Sequence, residues 1–199
     1  MTPLQKVCMV LGVGAAFPDS PIPVPCGRDI AFPAVLAVLG AKAGAEVGVE
    51  QGTFSEHLCR ALPQTRLMCV DAWAAYGGYR EHVTQAKLDG FYARAVERLA
   101  PFGADIRRGF SVEVAATVPD GSLDFVYIDA NHTLPQVIAD LAAWTPKVRS
   151  GGLIAGHDYG RSSVGHVREA VTAWTSAYRI APWFVLAGDR SPSFLWVQP

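Results

Sequence analysis

The feature that most limits the fold is an alternation of short apolar runs with longer stretches of helical character. Five strand-like runs occur in order, each followed by such a stretch: AEVGV, RLMCVDAW, ADIRRG, LDFVYIDA and GGLIAGHDY. Helices placed between strands in this way act as crossovers, which make neighbouring strands parallel and cover both faces of the sheet. The sequence therefore predicts an α/β fold with a doubly wound, mostly parallel sheet.

The two ends of the chain depart from this alternation. Residues 12–28 concentrate glycine and proline, which predicts an irregular lead-in and a candidate lid. From Asp29 the run DIAFPAVLAVLGAKAG predicts a capped helix that tolerates Pro33 near its first turn and ends at a glycine. Near the C-terminus PWFVLAG and SFLWVQ predict an antiparallel pair at one sheet edge. We expect a lead-in over residues 1–28 and one seven-stranded domain over residues 29–199.

Composition narrows the class of partner. The formal net charge is -1 and the chain has no basic run, so it lacks the positive surface that binds nucleic acids and anionic membranes. A small molecule is the expected partner. The four cysteines form no CxxC pair, and two lie in apolar runs, which favours reduced thiols and a cytoplasmic location. No apolar run approaches the roughly 20 residues that span a bilayer, and the apolar N-terminal stretch lacks a convincing signal-peptide cleavage site.

Ligands of open α/β sheets bind beyond the carboxyl ends of the strands. The residues predicted at those ends are Glu50–Gly52, Asp71, Phe110–Ser111, Asp129–His132 and His157–Asp158. Because parallel strands end at the same edge of a sheet, these groups should meet there and form a ligand site.

The turn EVGVEQG follows the first of these strands and contains two glycines four residues apart. Glycine turns let a backbone approach a ligand and aim free N–H groups at it. Glu50 stands where a dinucleotide-binding turn would have a further glycine, and Glu46 and Glu50 would repel a diphosphate. An ammonium or sulfonium ligand would tolerate these carboxylates. The alternative is a tight strand–helix turn without a ligand, because glycine is common in strained turns.

Polar side chains also follow three later strands. Asp71 ends the second apolar run, where a carboxylate can accept hydrogen bonds from ribose hydroxyls, or else cap a helix. The segments YIDANH and GHDY bring Asp129, His132, His157 and Asp158 to the same edge. Carboxylates and imidazoles together suit a divalent cation, which would polarise a coordinated hydroxyl. The alternative for each histidine is a helix cap or a hydrogen bond to backbone.

In this order the segments EVGVEQG, VDAW, GFSVEVA, FVYIDANH and GGLIAGHDY resemble the class I S-adenosylmethionine-dependent methyltransferases. The likeness covers about residues 30–175 and points to a small bacterial group that includes metal-dependent O-methyltransferases of natural-product and sugar pathways. It implies a Rossmann-like fold, S-adenosyl-L-methionine (SAM) as cofactor, methyl transfer to a hydroxyl oxygen of a small molecule, and in some relatives Mg²⁺ or Mn²⁺. Fold-level analogy also suggests a homodimer.

The resemblance implies that seven residues contact the cofactor: Glu46, Gly48, Gly52, Asp71, Phe110, Ser111 and Asp129. The glycine turn would hold the methionine part, Asp71 the ribose, and Phe110 with Ser111 the adenine. Many relatives have an acid at the position of Phe110. Adenine would therefore be held more by apolar contact than by a side-chain acceptor.

For a metal, the resemblance implies Asp129, His157 and Asp158 as ligands. Metal-dependent relatives carry two acids, or Asp and Asn, where this chain has His157 and Asp158, so the histidine is a departure. It would either ligate the ion and shift its preference from Mg²⁺ towards Mn²⁺, or leave the site without metal. The predicted catalytic residues are His132, Asp129 and His157. His132 is the candidate general base, because imidazoles ordinarily titrate near neutral pH.

A wall for the acceptor is predicted in DAWAAYGGYREH, which offers Trp73, Tyr76, Tyr79 and Arg80. Methyl transfer is an in-line displacement, so positioning of the acceptor opposite the sulfonium would supply much of the acceleration. The alternative is that these aromatic side chains pack a helix against the sheet.

Two rival functions fit part of the pattern. One is a hydrolase in which the aspartates and histidines hold a metal-bound water, but it leaves EVGVEQG and Asp71 without a role. The other is a non-catalytic subunit that binds a cofactor. The intact acid and glycine pattern argues against loss of cofactor binding, though not against loss of catalysis.

Overall fold

The computed structural model describes residues 1–14, 19–77, 83–160 and 166–199. Its strands are β1 (Ile22–Val24), β2 (Ala43–Val47), β3 (Arg66–Asp71), β4 (Asp105–Arg108), β5 (Leu123–Ile128), β6 (Val148–Gly156), β7 (Phe184–Leu186) and β8 (Ser193–Val197). Its helices are α1 (Pro3–Leu11), α2 (Arg28–Leu39), α3 (Thr53–Ala61), α4 (Gln85–Leu99), α5 (Ser111–Ala116), α6 (Leu134–Trp144) and α7 (Val167–Ala177). Within these ranges no helix has both the length and the apolar character that a membrane crossing requires.

The strands form one sheet in the order β1-β7-β8-β6-β5-β2-β3-β4. Neighbouring strands are parallel except at β8, which runs antiparallel to both β6 and β7. Helices α1 to α4 pack their apolar side chains on one face of the sheet, and α5 to α7 pack theirs on the other. The predicted doubly wound, mostly parallel α/β fold with an antiparallel C-terminal hairpin is confirmed.

The described sheet has eight strands rather than the predicted seven. The additional strand, β1, lies within residues 12–28, the segment expected to be irregular, and Ile22 pairs in parallel with Phe184 of β7. It occupies the sheet edge where the hairpin was expected. Pro23 is compatible with this pairing because proline is tolerated on edge strands. Since α1 also precedes it, the lead-in is only partly irregular. Residues 15–18 of the predicted lid lie outside the described residues.

Helix α2 begins at Arg28, one residue before the predicted start, with Gly27 as its N-cap. Pro33 lies inside the helix rather than in its first turn, and it cannot donate a hydrogen bond to the carbonyl of Asp29. The Nε2 atom of His57 in α3 lies 2.7 Å from that carbonyl oxygen and replaces the missing donor. The helix remains continuous and carries Arg28 to the carboxyl end of β5.

Candidate active site

A cavity of about 340 Å³ opens at the carboxyl ends of β2, β3, β4 and β5. Five of the seven residues predicted to contact a cofactor line it: Gly48, Asp71, Phe110, Ser111 and Asp129. They come from four different strand ends, which meet because parallel strands end at the same edge of the sheet. The strand order therefore creates this candidate ligand site.

Asp71 joins two loops. One is the turn between β2 and α3, residues 48–52, which we call the first turn, and the other follows β3. Its Oδ2 atom accepts hydrogen bonds from the backbone N–H groups of Val49 and Glu50, at 3.0 and 2.9 Å. Its Oδ1 atom accepts one from the N–H of Trp73 at 2.9 Å. The carboxylate orders two loops instead of capping a helix, and it also lines the cavity. A carboxylate fixed in this position suits ribose hydroxyls.

Gly48 lies where a side chain does not fit. Its φ of 96° is in the left-handed region, and a Cβ atom there would come within 2.1 Å of the backbone oxygen of Asp129. Its N–H donates to the carbonyl of Val70 at 2.8 Å. The glycine allows neighbouring strand ends to pass closely, and the same lack of a side chain opens the turn towards the cavity.

Two predicted cofactor contacts, Glu46 and Gly52, lie behind the turn and not in the cavity wall. Side chains alternate along a strand, so Glu46 points to the face that α3 covers, where Ser55 Oγ donates to its Oε2 at 2.5 Å. Burial, only partly offset by this hydrogen bond, raises the pKa of Glu46 to about 8. Gly52 precedes α3 with a φ of 75° and packs against Leu99. The geometry therefore does not support direct cofactor contacts for these two residues.

Four predicted side chains, Asp129, His132, His157 and Asp158, converge next to the cavity, and we call them the acid–imidazole cluster. His132 Nε2 lies 3.6 Å from Asp129 Oδ1 and 3.2 Å from Asp158 Oδ2. His157 Nδ1 lies 3.5 Å from Asp129 Oδ2 and 3.4 Å from Asp158 Oδ2. Each histidine thus faces both carboxylates. Asp129 also belongs to the cavity wall, so it connects the two parts of the site.

The charges of the cluster depend on these contacts. Burial on its own would raise the pKa of Asp129, but the nearby imidazoles of His132 and His157 hold it below its usual range. Burial would likewise lower the pKa of His157, but hydrogen bonds to Asp129 and Asp158 outweigh it and raise that pKa to about 9. The hydrogen bond from His157 is the main cause of the lowered pKa of Asp158. His157 is therefore an imidazolium between two carboxylates at neutral pH.

Three residues of the cluster could hold a divalent cation. Asp129, His132 and Asp158 each offer a ligand atom, and these atoms lie within 4.8 Å of one another. His132 Nε2 is buried and makes no hydrogen bond within the described residues, because its contact with Asp158 lacks hydrogen-bond geometry. The predicted ligand set contained His157 instead. The three ligand atoms that lie close enough together include His132 in its place.

Comparison with known proteins places the chain in a family. A family model described as a methyltransferase domain matches residues 45–159, which is more than half of the 199 residues. The chain belongs to this methyltransferase family. The matched span contains every residue predicted for the cofactor, the metal and catalysis.

Two solved structures resemble this methyltransferase over most of its length. The O-methyltransferase TomG from Streptomyces achromogenes, involved in tomaymycin synthesis and solved with SAM, is 16% identical; the match covers 99% of this chain and 90% of TomG, with a TM-score of 0.63. The O-methyltransferase from Bacillus cereus, solved with S-adenosylhomocysteine (SAH), is 16% identical; the match covers 98% and 90%, with a TM-score of 0.64. These likenesses show the class I methyltransferase fold. No curated protein sequence matches the chain.

The structure describes only part of the wall predicted for the acceptor of this methyltransferase. Tyr79 and Arg80 lie outside the described residues. Trp73 is 1% exposed and donates from Nε1 to a backbone carbonyl of the first turn at 2.7 Å, so it packs the base of the cavity. Tyr76 lines the cavity and meets the ring of Phe110 edge-on, with the ring centroids 5.4 Å apart. Of the two described aromatic residues, Tyr76 is better placed to contact a ligand.

Sequence reasoning missed Arg28, which brings a cation to the methyltransferase site. Its Nη1 atom lies 3.1 Å from Tyr127 Oη and 3.3 Å from Asp129 Oδ2. Its guanidinium lies 4.3 Å from the ring centroid of Phe54, and Asp189 Oδ2 accepts from its backbone N–H at 2.7 Å. No local pattern signals this role, because Tyr127 and Asp129 are 99 and 101 positions away in the chain.

Sequence reasoning also missed Asp140, a buried acid in α6 that lines the cavity. Burial, partly offset by a hydrogen bond with Ser111, raises its pKa to about 6. The available signal was the one acid inside the mostly apolar helix LPQVIADLAAW. A search restricted to strand ends does not reach the middle of a helix.

Proposed function

We propose that this methyltransferase uses SAM to methylate a hydroxyl oxygen of a small molecule. The observation that carries the proposal is the position of Asp129, which belongs both to the cavity that contains Gly48 and Asp71 and to the acid–imidazole cluster. A nucleoside cofactor and a proton acceptor would thus lie side by side. The shared fold of TomG and the Bacillus cereus enzyme, solved with SAM and SAH, supports this cofactor.

In this proposal the cofactor fills the cavity at the carboxyl edge. Asp71 binds the ribose hydroxyls, and the bare backbone at Gly48 lets the methionine part approach closely. Phe110, which is 43% exposed, offers its ring to adenine. Ser111 lies beside it, and its Oγ accepts a hydrogen bond from Trp144 Nε1 at 2.8 Å, which fixes the hydroxyl at the adenine end.

The chemical step is an in-line displacement at the methyl carbon. The acceptor oxygen forms a bond to that carbon while the carbon–sulfur bond breaks, and the released electron pair neutralises the sulfonium. The proton of the acceptor passes to His132 Nε2, which faces the carboxylates of Asp129 and Asp158. Those carboxylates stabilise the imidazolium that forms. His157, a cation between the same carboxylates, holds them in position.

A divalent cation, Mg²⁺ or Mn²⁺, also fits this cluster through Asp129, His132 and Asp158, because His132 Nε2 has no hydrogen-bond partner in the described chain. When bound, the ion would polarise the acceptor hydroxyl and lower its pKa. His132 would then be a ligand and could not accept the proton. Arg28 and His157 already place two positive charges beside Asp129, which favours the form in which His132 is the base.

The proposed acceptor is a small molecule. The net charge of -1 gives no attraction for nucleic acid or an anionic membrane, so neither is proposed as a partner. We further propose a cytoplasmic homodimer with one catalytic domain, to whose core and sheet α1 and β1 of residues 1–28 contribute.

Calorimetry with SAM and SAH tests the cofactor. We expect both to bind the wild-type chain, and Asp71→Ala to weaken SAH binding by about 10- to 100-fold, since hydrogen bonds to a charged group are lost. Asp120→Ala is the matched control, because Asp120 is an exposed acid that pairs with Lys147 outside the cavity wall. A hydrolase would bind neither nucleoside, and a non-catalytic subunit would bind SAM without transferring its methyl group.

Metal dependence distinguishes the two forms of the cluster. Methyl transfer from labelled SAM to a panel of catechols and sugars is measured with EDTA and with added Mg²⁺ or Mn²⁺. In the base form, activity survives EDTA and falls by about 10²- to 10⁴-fold in His132→Ala. In the cation form, EDTA abolishes activity and added metal restores it. Activity that survives both EDTA and His132→Ala would exclude both roles of His132.

A further inference from the structure

Asp140 is an acid at the adenine end of the cavity that the roles proposed above do not use. It is 2% exposed, and its neighbours on the buried face of α6 are Val137, Leu141 and Trp144. Gln136, one turn earlier on the same side of the helix, also lines the cavity. A carboxylate in such apolar surroundings is costly unless its oxygens gain hydrogen bonds.

One oxygen of Asp140 lacks such a bond. Ser111, whose Oγ accepts from Trp144 Nε1 at 2.8 Å, has its own hydroxyl proton to offer to Asp140, and this interaction moderates the rise in the pKa of the acid. Oδ1 is buried and has no hydrogen-bond partner among the described residues. Because Asp140 lines the cavity, a ligand bound there can supply the missing donor.

The surroundings restrict the kind of donor. Phe110, Val112 and Ala130 give this cavity apolar surface, and Asp71 lies at the end assigned to the ribose. In the described chain no cation contributes to the pKa of Asp140, so its carboxylate has no ion pair to satisfy it. A flat apolar ring that carries one neutral N–H₂ group matches these features.

We propose that Asp140 accepts a hydrogen bond from the 6-amino group of adenine and thereby selects adenine over 6-oxo purines. This inference rests on the proposed function, since it requires an adenosyl cofactor in the cavity. The acceptor comes from α6, whereas the strand end that follows β4 presents Phe110, which has no polar atom in its side chain.

Calorimetry with SAH and with S-inosyl-L-homocysteine, whose purine carries a 6-oxo group, tests this selection. The wild-type chain should bind SAH about 10- to 100-fold more tightly, because the 6-oxo purine removes the donor and places an oxygen against the carboxylate. Asp140→Asn removes the charge and adds an N–H₂ donor, so the preference should vanish or reverse. Glu113→Gln, which neutralises another acid of the cavity wall, is the matched control and should keep the preference.

Two outcomes overturn the role of Asp140 and leave the proposed function intact: equal affinity of the wild-type chain for the two nucleosides, or an unchanged preference in Asp140→Asn. Failure of the wild-type chain to bind SAH at all would instead overturn the proposed function. The preference is a ratio within each variant, so a partly unfolded fraction cancels. The wild-type ratio is decisive even if Asp140→Asn does not fold.

Discussion

The cofactor cavity and the acid–imidazole cluster adjoin each other, but different interactions hold them together. In the cavity, Gly48 is fixed by a backbone hydrogen bond to Val70, and the Asp71 carboxylate is fixed by hydrogen bonds from backbone N–H groups. In the cluster, Asp129 is fixed by charged side chains, including Arg28 from a distant part of the chain. Backbone contacts of the first kind are encoded in short motifs. Charge contacts such as that of Arg28 with Asp129 arise when the fold brings distant segments together.

Gly48→Ala should have the largest effect, and it tests the cofactor cavity, where backbone groups hold the residues in place. A Cβ atom would come within 2.1 Å of the backbone oxygen of Asp129, at a φ of 96° that L-residues rarely adopt. Relief of this collision has to displace the first turn by a substantial part of an ångström. We expect SAH affinity, measured by calorimetry, to fall by more than about 100-fold, in keeping with the cost of such misplacement.

Gly121→Ala is the matched control for Gly48→Ala. Gly121 also has a positive φ, 67°, but a Cβ atom there would meet nothing within 4 Å. This variant should lose about 1 to 2 kcal/mol of unfolding free energy from backbone strain alone and bind SAH normally. If Gly48→Ala bound SAH as well as Gly121→Ala does, the first turn would not be a cofactor contact.

Glu46→Gln tests how the cavity and the acid–imidazole cluster are connected. Glu46 lies behind the first turn, and besides burial the charge of Asp129 contributes to the raised pKa of its side chain. Burial raises the pKa of Glu46 to about 8, so the folded chain favours the neutral acid. The stability that this acid provides is full below about pH 4.5 and is lost as the pH rises towards 8. Glutamine stays neutral. Between pH 5 and 7.5 the wild-type chain should therefore lose up to about 3 kcal/mol relative to the variant.

Urea unfolding at a series of pH values measures this difference. At pH 4 the glutamic acid and the glutamine at this position are both neutral, so the two chains should have similar stability. The measurements at this low pH are the internal control. A difference that stays constant across the series would mean that Glu46 does not titrate as its burial predicts. Its role behind the turn would then be purely one of packing.

The sequence predicted the parts of the molecule that depend on local pattern. The alternation of apolar runs was enough for the doubly wound sheet, because each βα unit buries its own face against the next. The predicted strand ends then placed Gly48 and Asp71 at one sheet edge, and in the structure both line the same cavity. The edge strand Ile22–Val24 was missed because proline was interpreted as a sign of irregular structure, although edge strands tolerate it.

The residues that the sequence could not predict are those whose role depends on side-chain direction or on distant partners. Glu46 was placed against the cofactor, but strand alternation turns it to the opposite side of the turn. Arg28 and Asp140 lie in helices, where no strand-end rule applies, and they reach the site through the packing of α2 and α6. His132 and His157 lie at the predicted sheet edge, but only the distances between side chains show that His132, and not His157, joins Asp129 and Asp158 in the group that could hold a cation.

Arg28→Met tests the acid–imidazole cluster, which charged side chains hold together. Methionine keeps apolar contact with Phe54 but removes the cation that lies 3.3 Å from Asp129 Oδ2. We expect a loss of about 2 kcal/mol in unfolding free energy, as for a hydrogen bond to a charged group, and a fall in methyl transfer with SAH affinity nearly unchanged. Arg28→Lys keeps the charge and should recover part of the loss. Equal losses of SAH affinity and of transfer would show that cavity and cluster act as one unit.

The smallest expected effect concerns how α2 is held so that Arg28 reaches the cluster. His57→Ala removes the donor that lies 2.7 Å from the carbonyl oxygen of Asp29, the group left without a helical partner by Pro33. The cost in urea unfolding should be about 1 kcal/mol. In a Pro33→Ala background the helix supplies its own N–H to that carbonyl, so His57→Ala should cost much less there. Equal costs in both backgrounds would show that His57 stabilises α2 by packing alone.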